Sequence, residues 1–222
     1  MHQENEYPVF PSVDEADEDG LLCIGGDLSL NRLRAAYQSG IFPWYTADEP
    51  ICWYSPDPRF VLFPERVRIS HSMRAVLRRT SWELRINAAF TEVMQQCRDI
   101  IRNGQSGESW IHTAMQQAYT ALHQAGDAHS FECYVNGELA GGFYGVLSGQ
   151  VFCGESMFSR ISNASKYAFI QAIPVLQSWG VTLIDCQVYT THLKSLGAGF
   201  IPRKTYLSIL QDRNRFIHPG SE

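Results

Sequence analysis

The sequence predicts a mixed α+β fold with a mixed central sheet, and three observations indicate this class. Strand-like apolar runs alternate with helical stretches through most of the 222 residues. The dipeptide Asn136-Gly137 separates two strand-like runs, which is a strong hairpin signal. Hydrophobic residues make up 45% of the chain and charged residues only 18%, which favours a packed core over disorder.

Capping residues, glycines and prolines delimit the individual elements. The predicted strands are residues 60–63, 82–86, 131–135, 139–147, 150–153 and 181–187. The predicted helices are residues 30–39, a short basic helix that begins after residue 70, residues 87 to about 103, residues 113–126, residues 163–179, residues 191–196, and a last helix after Pro202. The first is capped by Asp27 or Ser29, and the second is opened by Ser70 or Ser72. Asn87 and Thr113 cap the third and the fourth.

Two domains are expected, with a boundary near Pro64. Residues 1–63 are predicted to form a small N-terminal domain with an acidic lead, and residues 64–222 the larger domain that carries the alternating elements. Aromatic residues cluster on proline-rich loops of the small domain. They have two interpretations, the core of that domain or a stacking platform for bases.

Composition also limits the location of the protein. No apolar run approaches the length of about 18 residues that a membrane span needs, and no secretory signal is evident. The six cysteines are scattered and form no metal-binding pattern. A cytoplasmic protein with reduced thiols is therefore expected.

The charge of the chain is unevenly distributed. Residues 1–19 contain seven acids and no Lys or Arg, whereas residues 59–85 carry a net charge of +5. Arg74 and Arg78 lie one helical turn apart in this basic segment, so they share a face. The segment is either a solvated helix face or a phosphate-binding surface, because the guanidinium group of Arg forks onto phosphate.

Two polar clusters follow strand-like runs. Glu155 comes after residues 150–153, and Asp185 and Gln187 end the run 181–187. Asp185 and Gln187 are two apart on a strand, so they share a face, where the carboxylate can accept the amide N–H. If the two strands are neighbours, Glu155 joins them in a site for an amine or a guanidinium. The alternative is a satisfied buried polar pair.

Other chemistries find little support in the sequence. A thiol nucleophile at Cys186, near His192, is disfavoured because Cys186 alternates with the polar pair and faces the opposite side of the strand. The chain has no Walker lysine motif, no G-x-G-x-x-G and no H-E-x-x-H. Gly141, Gly142 and Gly145 interrupt a strand, which predicts either a bulge or a close backbone approach by a ligand.

Short segments in a fixed order form a more specific pattern. They are GLLCIGGDLS at 20–29, AYQSGIFPW at 36–44, WYSPDPR at 53–59, SWI at 109–111, AHS at 128–130, GGFYGV at 141–146, GESMFS at 154–159, NASK at 163–166, DCQ at 185–187 and SLGA at 195–198. The ordered set resembles the bacterial leucyl/phenylalanyl-tRNA–protein transferases from about residue 20 to about residue 207. Each segment is weak by itself, whereas the set is highly specific.

The resemblance implies a fold and an activity. The C-terminal domain is expected to be like the acetyltransferase (GNAT-type) fold. The implied reaction moves Leu or Phe, and less readily Met, from aminoacyl-tRNA to proteins that begin with Arg or Lys, which marks them for degradation by the N-end rule. No metal, ATP or coenzyme is implied, and the enzyme is expected to be a monomer.

The resemblance also implies roles for individual residues. Asp185 and Gln187 are the implied catalytic pair, and Glu155 is the acid that recognises the cationic acceptor. The aminoacyl side chain is expected in an apolar pocket lined by Phe143, Phe152, Met157, Phe169, Ala172, Leu176 and Ile184. Some family members carry an aromatic residue at the position of Ala172, which leaves the preference between Leu and Phe open.

Binding of tRNA is assigned by the same resemblance. Trp44 and Trp110 match positions that hold the terminal adenosine, and the basic patch for the acceptor stem corresponds to His71, Arg74, Arg78 and Arg79. Such a patch contacts the phosphate backbone, so binding is expected to weaken steeply with salt.

Two competing functions stay open at this point. An acyl-CoA-dependent N-acetyltransferase suits the layout of the second domain, but its pyrophosphate-binding turn, Q/R-x-x-G-x-G/A, is not found after a central strand. A non-catalytic RNA-binding module accounts for the arginine cluster but not for Glu155, Asp185 and Gln187.

Overall fold

The computed structural model describes residues 9–100 and 109–212. The strands within these ranges are β1 (Leu21–Ile24), β2 (Phe42–Pro43), β3 (Cys52–Tyr54), β4 (Arg59–Leu62), β5 (Trp82–Ile86), β6 (Ala128–Val135), β7 (Glu138–Ser148), β8 (Val151–Ser159), β9 (Leu183–Gln187) and β10 (Gly199–Ile201). The helices are α1 (Leu30–Gln38), α2 (His71–Leu77), α3 (Phe90–Asp99), α4 (Thr113–Gln124), α5 (Ala164–Ser178), α6 (Thr191–Ser195) and α7 (Arg203–Gln211).

The larger sheet confirms the predicted fold class. Its strand order is β10-β4-β9-β8-β7-β6-β5, and all its neighbouring strands are antiparallel except β8 and β9, which are parallel. A parallel pair needs a crossover connection, and α5 lies between these two strands in the chain. The result is a mixed α+β fold around a mixed central sheet.

The parallel pair separates soon after it forms. The two strands pair from Val151 with Leu183 to Cys153 with Asp185, yet β8 continues to Ser159. Glu155 therefore lies inside a strand, whereas the sequence predicted that the strand ends at Cys153. The gap beyond Cys153 leaves side chains of both strands free to face a ligand.

Two hydrophobic clusters cover the faces of the sheet. One cluster joins residues of α1, α3, α4 and α7, and the other joins residues of α2 and α5 and the end of α6. The small sheet, with strand order β1-β3-β2, packs into the first cluster through Phe42 and Trp53. None of the helices in the described ranges is long and apolar enough to cross a bilayer.

The proposed domain boundary near Pro64 stays a prediction. The strand β4 precedes this boundary and lies between β10 and β9 in the larger sheet. Part of the segment 1–63 is therefore built into the sheet that carries the segment 64–222. Residues 1–8 of the acidic lead lie outside the described residues.

Two predicted helix caps are wrong. Asn87 has a φ of 56°, and its Oδ1 accepts the backbone N–H of Ser130 at 3.0 Å instead of capping α3. The carboxylate of Glu132 accepts the N–H groups of Ala88 and Ala89 just before that helix begins. The N-cap of α4 is His112 rather than Thr113. α3 ends at Asp99 and Ile100 is extended, so the helix is shorter than the prediction, whose end near residue 103 falls outside the described residues.

Gly145 lies at a strand irregularity, as one of the two alternatives predicted, and the group that approaches it closely is the protein's own chain rather than a ligand. It lies at an irregularity between β7 and β8, where an added Cβ would collide with the carbonyl oxygen of Cys153 and lie 2.6 Å from the ring of Phe152. Gly145→Ala is expected to lower the free energy of unfolding by about 1–3 kcal/mol or more, because backbone cannot move aside easily. Urea denaturation measures this loss.

Gly199→Ala is the matched control, since Gly199 is also in a strand but an added Cβ there meets nothing within 4 Å. Equal stability of the two variants would contradict the steric explanation.

Candidate functional site

A cavity of about 620 Å³ opens where β8 and β9 separate. Its walls come from residues 154–159 of β8, residues 184–187 of β9, strand β2 with the adjacent Trp44, the loop 188–190, and parts of β7, α5 and α6. One region of the wall is apolar, and another carries Glu155 and Gln187. The cavity thus joins an apolar pocket to a polar group that can hold a cation or an amine.

Asp185 is held by a buried cation. The Nε and Nη2 atoms of Arg59 donate to both carboxylate oxygens at 2.7–3.1 Å, and the hydroxyl of Tyr206 donates to Oδ2 at 3.0 Å. The side chains of Asp185 and Arg59 are 0% and 1% exposed. Burial is the largest single influence and lowers the pKa of Arg59, but the charge and hydrogen bonds of Asp185 together with Tyr206 and Cys153 raise that pKa above its ordinary value. The pair is a closed, neutral unit.

Gln187 is fixed at both its backbone and its side chain. The backbone N–H of Gln187 donates to Asp185 Oδ1 at 2.9 Å, and its φ is 58°, in the left-handed region. Its side-chain Nε2 donates to Glu155 Oε1 at 3.1 Å. The side-chain oxygen of Gln187 is consequently the atom of this amide left for a substrate donor.

Glu155 is the centre of a hydrogen-bond network. The Tyr37 hydroxyl lies 2.8 Å from Oε1, the Tyr119 hydroxyl lies 3.2 Å from Oε2, and the two hydroxyls also contact each other. Each hydroxyl has one proton, so the two protons fill only two of these three contacts at a time when Glu155 is ionised. Burial raises the pKa of Glu155 to about 7, although these hydrogen bonds oppose the shift. Glu155 therefore changes charge close to neutral pH.

The expected grouping of Glu155, Asp185 and Gln187 is found, but with different partners. The strands are neighbours, as the grouping required. The amide of Gln187 donates to Glu155, whereas the sequence suggested a bond to Asp185, which instead accepts the backbone N–H. Arg59 was missed, because nothing in a proline-rich segment signals a partner that lies 126 residues away.

Cys186 is buried on the side of the strand expected from the alternation. It belongs to the hydrophobic cluster formed with α5, and its Sγ lies 3.9 Å from the carbonyl oxygen of Ile184. Burial raises the pKa of this thiol far above its ordinary value, and the charge of Asp185 adds to the effect. Such a thiol is a poor nucleophile.

The apolar residues proposed for the pocket divide into two groups. Those that line the cavity are Phe143, Phe152, Met157, Phe169 and Ile184. Ala172 and Leu176 are fully buried and do not line it. They lie in the same hydrophobic cluster as Phe143 and Phe169, so their size acts on the pocket through its wall.

The proposed tRNA contacts lie in two places. Trp44 and Trp110 line the cavity, and Trp44 is 44% exposed at its mouth. The basic residues of α2 and its C-terminal end, which do not line the cavity, are all exposed: His71, Arg74, Arg78 and Arg79. Within the described ranges, no acidic side chain forms an ion pair with these arginines.

The site contains no arrangement suited to a metal. Among residues 9–100 and 109–212, no group of three or more His, Cys, Asp or Glu side chains is placed to hold an ion.

Two family models match the chain. Residues 61–211 match the family described as leucyl/phenylalanyl-tRNA protein transferase, and residues 26–57 match the N-terminal domain of the same transferase. Glu155, Gln187 and most of the cavity's lining residues lie within the first match, whereas residues 42–44 of its wall lie within the second.

Curated relatives agree with these matches. A leucyl/phenylalanyl-tRNA–protein transferase of Chromobacterium violaceum is 50% identical over 214 residues, which cover 96% of this chain and 91% of the relative. One of Nitrosomonas europaea is 49% identical, covering 95% of this chain and 94% of the relative. Among solved structures, a GCN5-related N-acetyltransferase from Kribbella flavida aligns at 12% identity over 75% of this chain and 58% of that chain, with a TM-score of 0.36.

The raised pKa of Glu155 predicts a pH-dependent stability. Its ordinary value is 4.5 and its folded-state value about 7, so the folded protein binds this proton more tightly than the unfolded chain. The contribution of Glu155 protonation to the free energy of unfolding is complete below about pH 4.5 and is lost as the pH rises through about 7. Glu155→Gln cannot ionise, so its free energy of unfolding should rise relative to wild type by about 1–3 kcal/mol between pH 5 and pH 8.

Urea denaturation of both proteins at the two pH values measures the difference. Glu138→Gln, which changes an exposed carboxylate, serves as the control. A stability difference for Glu155→Gln that does not vary with pH would refute this prediction.

Proposed function

Because the chain belongs to the leucyl/phenylalanyl-tRNA protein transferase family, we propose that it transfers Leu or Phe, and less readily Met, from aminoacyl-tRNA to proteins that begin with Arg or Lys. The observation that carries the proposal is one cavity that joins an apolar wall to the polar contact between Glu155 and Gln187. On family grounds alone, we further propose a cytoplasmic monomer whose products are degraded.

The reaction needs positioning more than activation. The aminoacyl ester of tRNA is already reactive, so neither ATP nor a coenzyme is required. The α-amine of the acceptor attacks the ester carbonyl carbon, the amide bond forms, the bond to the ribose oxygen breaks, and the amine proton ends on that oxygen. Holding the amine beside the ester supplies much of the rate enhancement.

Gln187 orients the acceptor amine in this proposal. Its Nε2 is occupied by Glu155, so its side-chain oxygen faces a substrate as an acceptor for an amine N–H. A neutral amide oxygen is a poor base, and Asp185 is already neutralised by Arg59. The proton therefore passes to the ribose oxygen directly or through water.

Glu155 selects the charge of the acceptor. It lines the same cavity as Gln187 and contacts the Gln187 Nε2 at 3.1 Å, so the amine and the cationic side chain of one acceptor can enter the same polar region. A bound guanidinium or ammonium group favours the ionised carboxylate and lowers the pKa that burial has raised. Neutral acceptors gain no such stabilisation.

The apolar wall takes the transferred side chain. Aromatic and aliphatic residues without polar groups favour Leu, Phe and Met over polar side chains. Phe143, Phe152 and Phe169 are among the residues that line this wall. Trp44 and Trp110, on the same cavity, are suited to stack on the terminal adenosine.

Transfer of label tests the proposal against its competitors. Wild-type protein is incubated with radiolabelled Leu-tRNA and a peptide that begins with Arg, and label is expected on the peptide without ATP or CoA. Transfer only with acyl-CoA would support an N-acetyltransferase, and tRNA binding without transfer would support an RNA-binding module.

A peptide beginning with Ala, together with Glu155→Lys, separates acceptor recognition from folding. The variant should lose about 100-fold or more in kcat/KM for the Arg peptide and much less for the Ala peptide. Equal losses for both peptides would assign Glu155 a structural role.

Salt dependence tests the basic patch on α2. Replacing Arg74, Arg78 and Arg79 by Gln removes three exposed cations. The affinity for tRNA is expected to fall, and the slope of log K against log salt to become shallower by roughly 2–3, because fewer counterions are released. Fluorescence anisotropy of labelled tRNA between low and physiological salt measures both quantities.

Arg160→Gln, another exposed arginine outside α2, is the control. An unchanged slope in the triple variant, with the control also unchanged, would remove the patch from the tRNA interface.

A further inference from the structure

We propose that Arg59 is a positioning residue for the transfer reaction and acts through Asp185 on Gln187. The inference rests on the proposed function and concerns a residue that does not line the cavity. Arg59 cannot reach a substrate there, so any effect on the reaction must pass through Asp185.

The contacts of Asp185 leave it no role as a base. Its Oδ1 accepts Arg59 Nε and the Gln187 N–H, both at 2.9 Å, and its Oδ2 accepts Arg59 Nη2 at 2.7 Å and the Tyr206 hydroxyl at 3.0 Å. An ionised carboxylate offers about four lone-pair sites, and these contacts fill them. An amine could bond to Asp185 only by displacing one of these donors.

Two aromatic rings pack against the guanidinium group of Arg59. The Phe42 ring lies 4.7 Å and the Tyr206 ring 4.6 Å from the central carbon of Arg59. A planar cation between two rings has few alternative orientations, and its two N–H groups match two carboxylate oxygens. A lysine ammonium supplies the charge but neither the plane nor the fork.

Asp185 transmits this rigidity to Gln187. A residue other than glycine rarely adopts a φ of 58°, and it persists only when its surroundings hold it. The hydrogen bond from the Gln187 N–H to Asp185 Oδ1 stabilises this conformation. The clamp, meaning the contacts of Arg59 and Tyr206 with the Asp185 carboxylate, keeps Oδ1 in place. A carboxylate free to rotate would release this turn, and the Gln187 amide would then leave Glu155.

Arg59→Lys tests the idea through the division between kcat and KM. The expected result is a fall of about 100-fold in kcat for transfer to an Arg peptide, since a small misplacement of the amine is sufficient. The KM for the peptide should change little, because Glu155 and the apolar wall are intact.

Arg203→Lys is the matched control. Arg203 is also a buried arginine and donates to the carbonyl oxygen of Ser55 at 2.6 Å, but it makes no contact with Asp185. Its replacement should lower the melting temperature while kcat stays at the wild-type value. A loss of kcat in both variants would show that burial of an arginine, rather than the clamp, matters.

A double-mutant cycle with Asp185→Asn provides the second readout. If Arg59 acts only through Asp185, the double variant should be no slower than Asp185→Asn alone. Multiplied losses, or a wild-type kcat in folded Arg59→Lys, would overturn the proposal.

Tyr206→Phe provides a second test of the proposal if Arg59→Lys does not fold. It removes one hydroxyl bond to Oδ2 and leaves the ring, so kcat should fall by about 2- to 10-fold. An unchanged kcat in this variant would also count against the clamp. Absence of transfer by the wild type rejects the proposed function itself, whereas normal transfer by every variant rejects only the role of Arg59.

Discussion

The ion pair between Arg59 and Asp185 is the contact on which the rest of the site depends. Both charges are removed from water, so each is stable only in the presence of the other, and loss of one partner of such a pair costs about 3–5 kcal/mol. The pair joins β4 to β9. The rings of Phe42 in β2 and Tyr206 in α7 pack against the guanidinium group of Arg59. Four segments that are distant in sequence therefore contact this ion pair.

The position of the cavity follows from the strand that Asp185 occupies. It is the last residue of β9 that pairs with β8, and Glu155 lies two residues beyond the matching point on β8. The divergence of the strands leaves Glu155 and Gln187 facing each other across the gap, where they bond. Burial then raises the pKa of Glu155 to about 7, so the placement that we propose for recognition of a cationic acceptor lowers stability as the pH rises through neutrality.

The architecture separates the proposed tasks. Charge recognition and amine positioning lie on β8 and β9, the apolar wall draws on residues of β7, β8 and α5, and the exposed arginines of α2 stand apart from the cavity. In the proposed function tRNA contacts both α2 and the tryptophans of the cavity, and the acceptor enters the same cavity, so the reacting ends meet there. Asp185 lines this cavity, but its carboxylate oxygens already accept hydrogen bonds from Arg59, Tyr206 and Gln187.

Short-range patterns in the sequence determined most of the elements and the family. Periodicity, capping serines at Ser29 and Ser70, and the Asn136-Gly137 turn act within a few residues, so they can be read from the chain alone. Alternation along β9 likewise separated Cys186 from its polar neighbours. The ordered motifs identified the transferase family before any contact was known.

Only the tertiary structure decided which groups are partners. The continuation of β8 past Cys153, the bond from Gln187 to Glu155, and the role of Glu132 in place of Asn87 all depend on which strands lie side by side. Arg59 meets Asp185 because β4 and β9 are neighbours in the sheet. Strand order is set by packing of the whole chain, which no local pattern around Arg59 encodes.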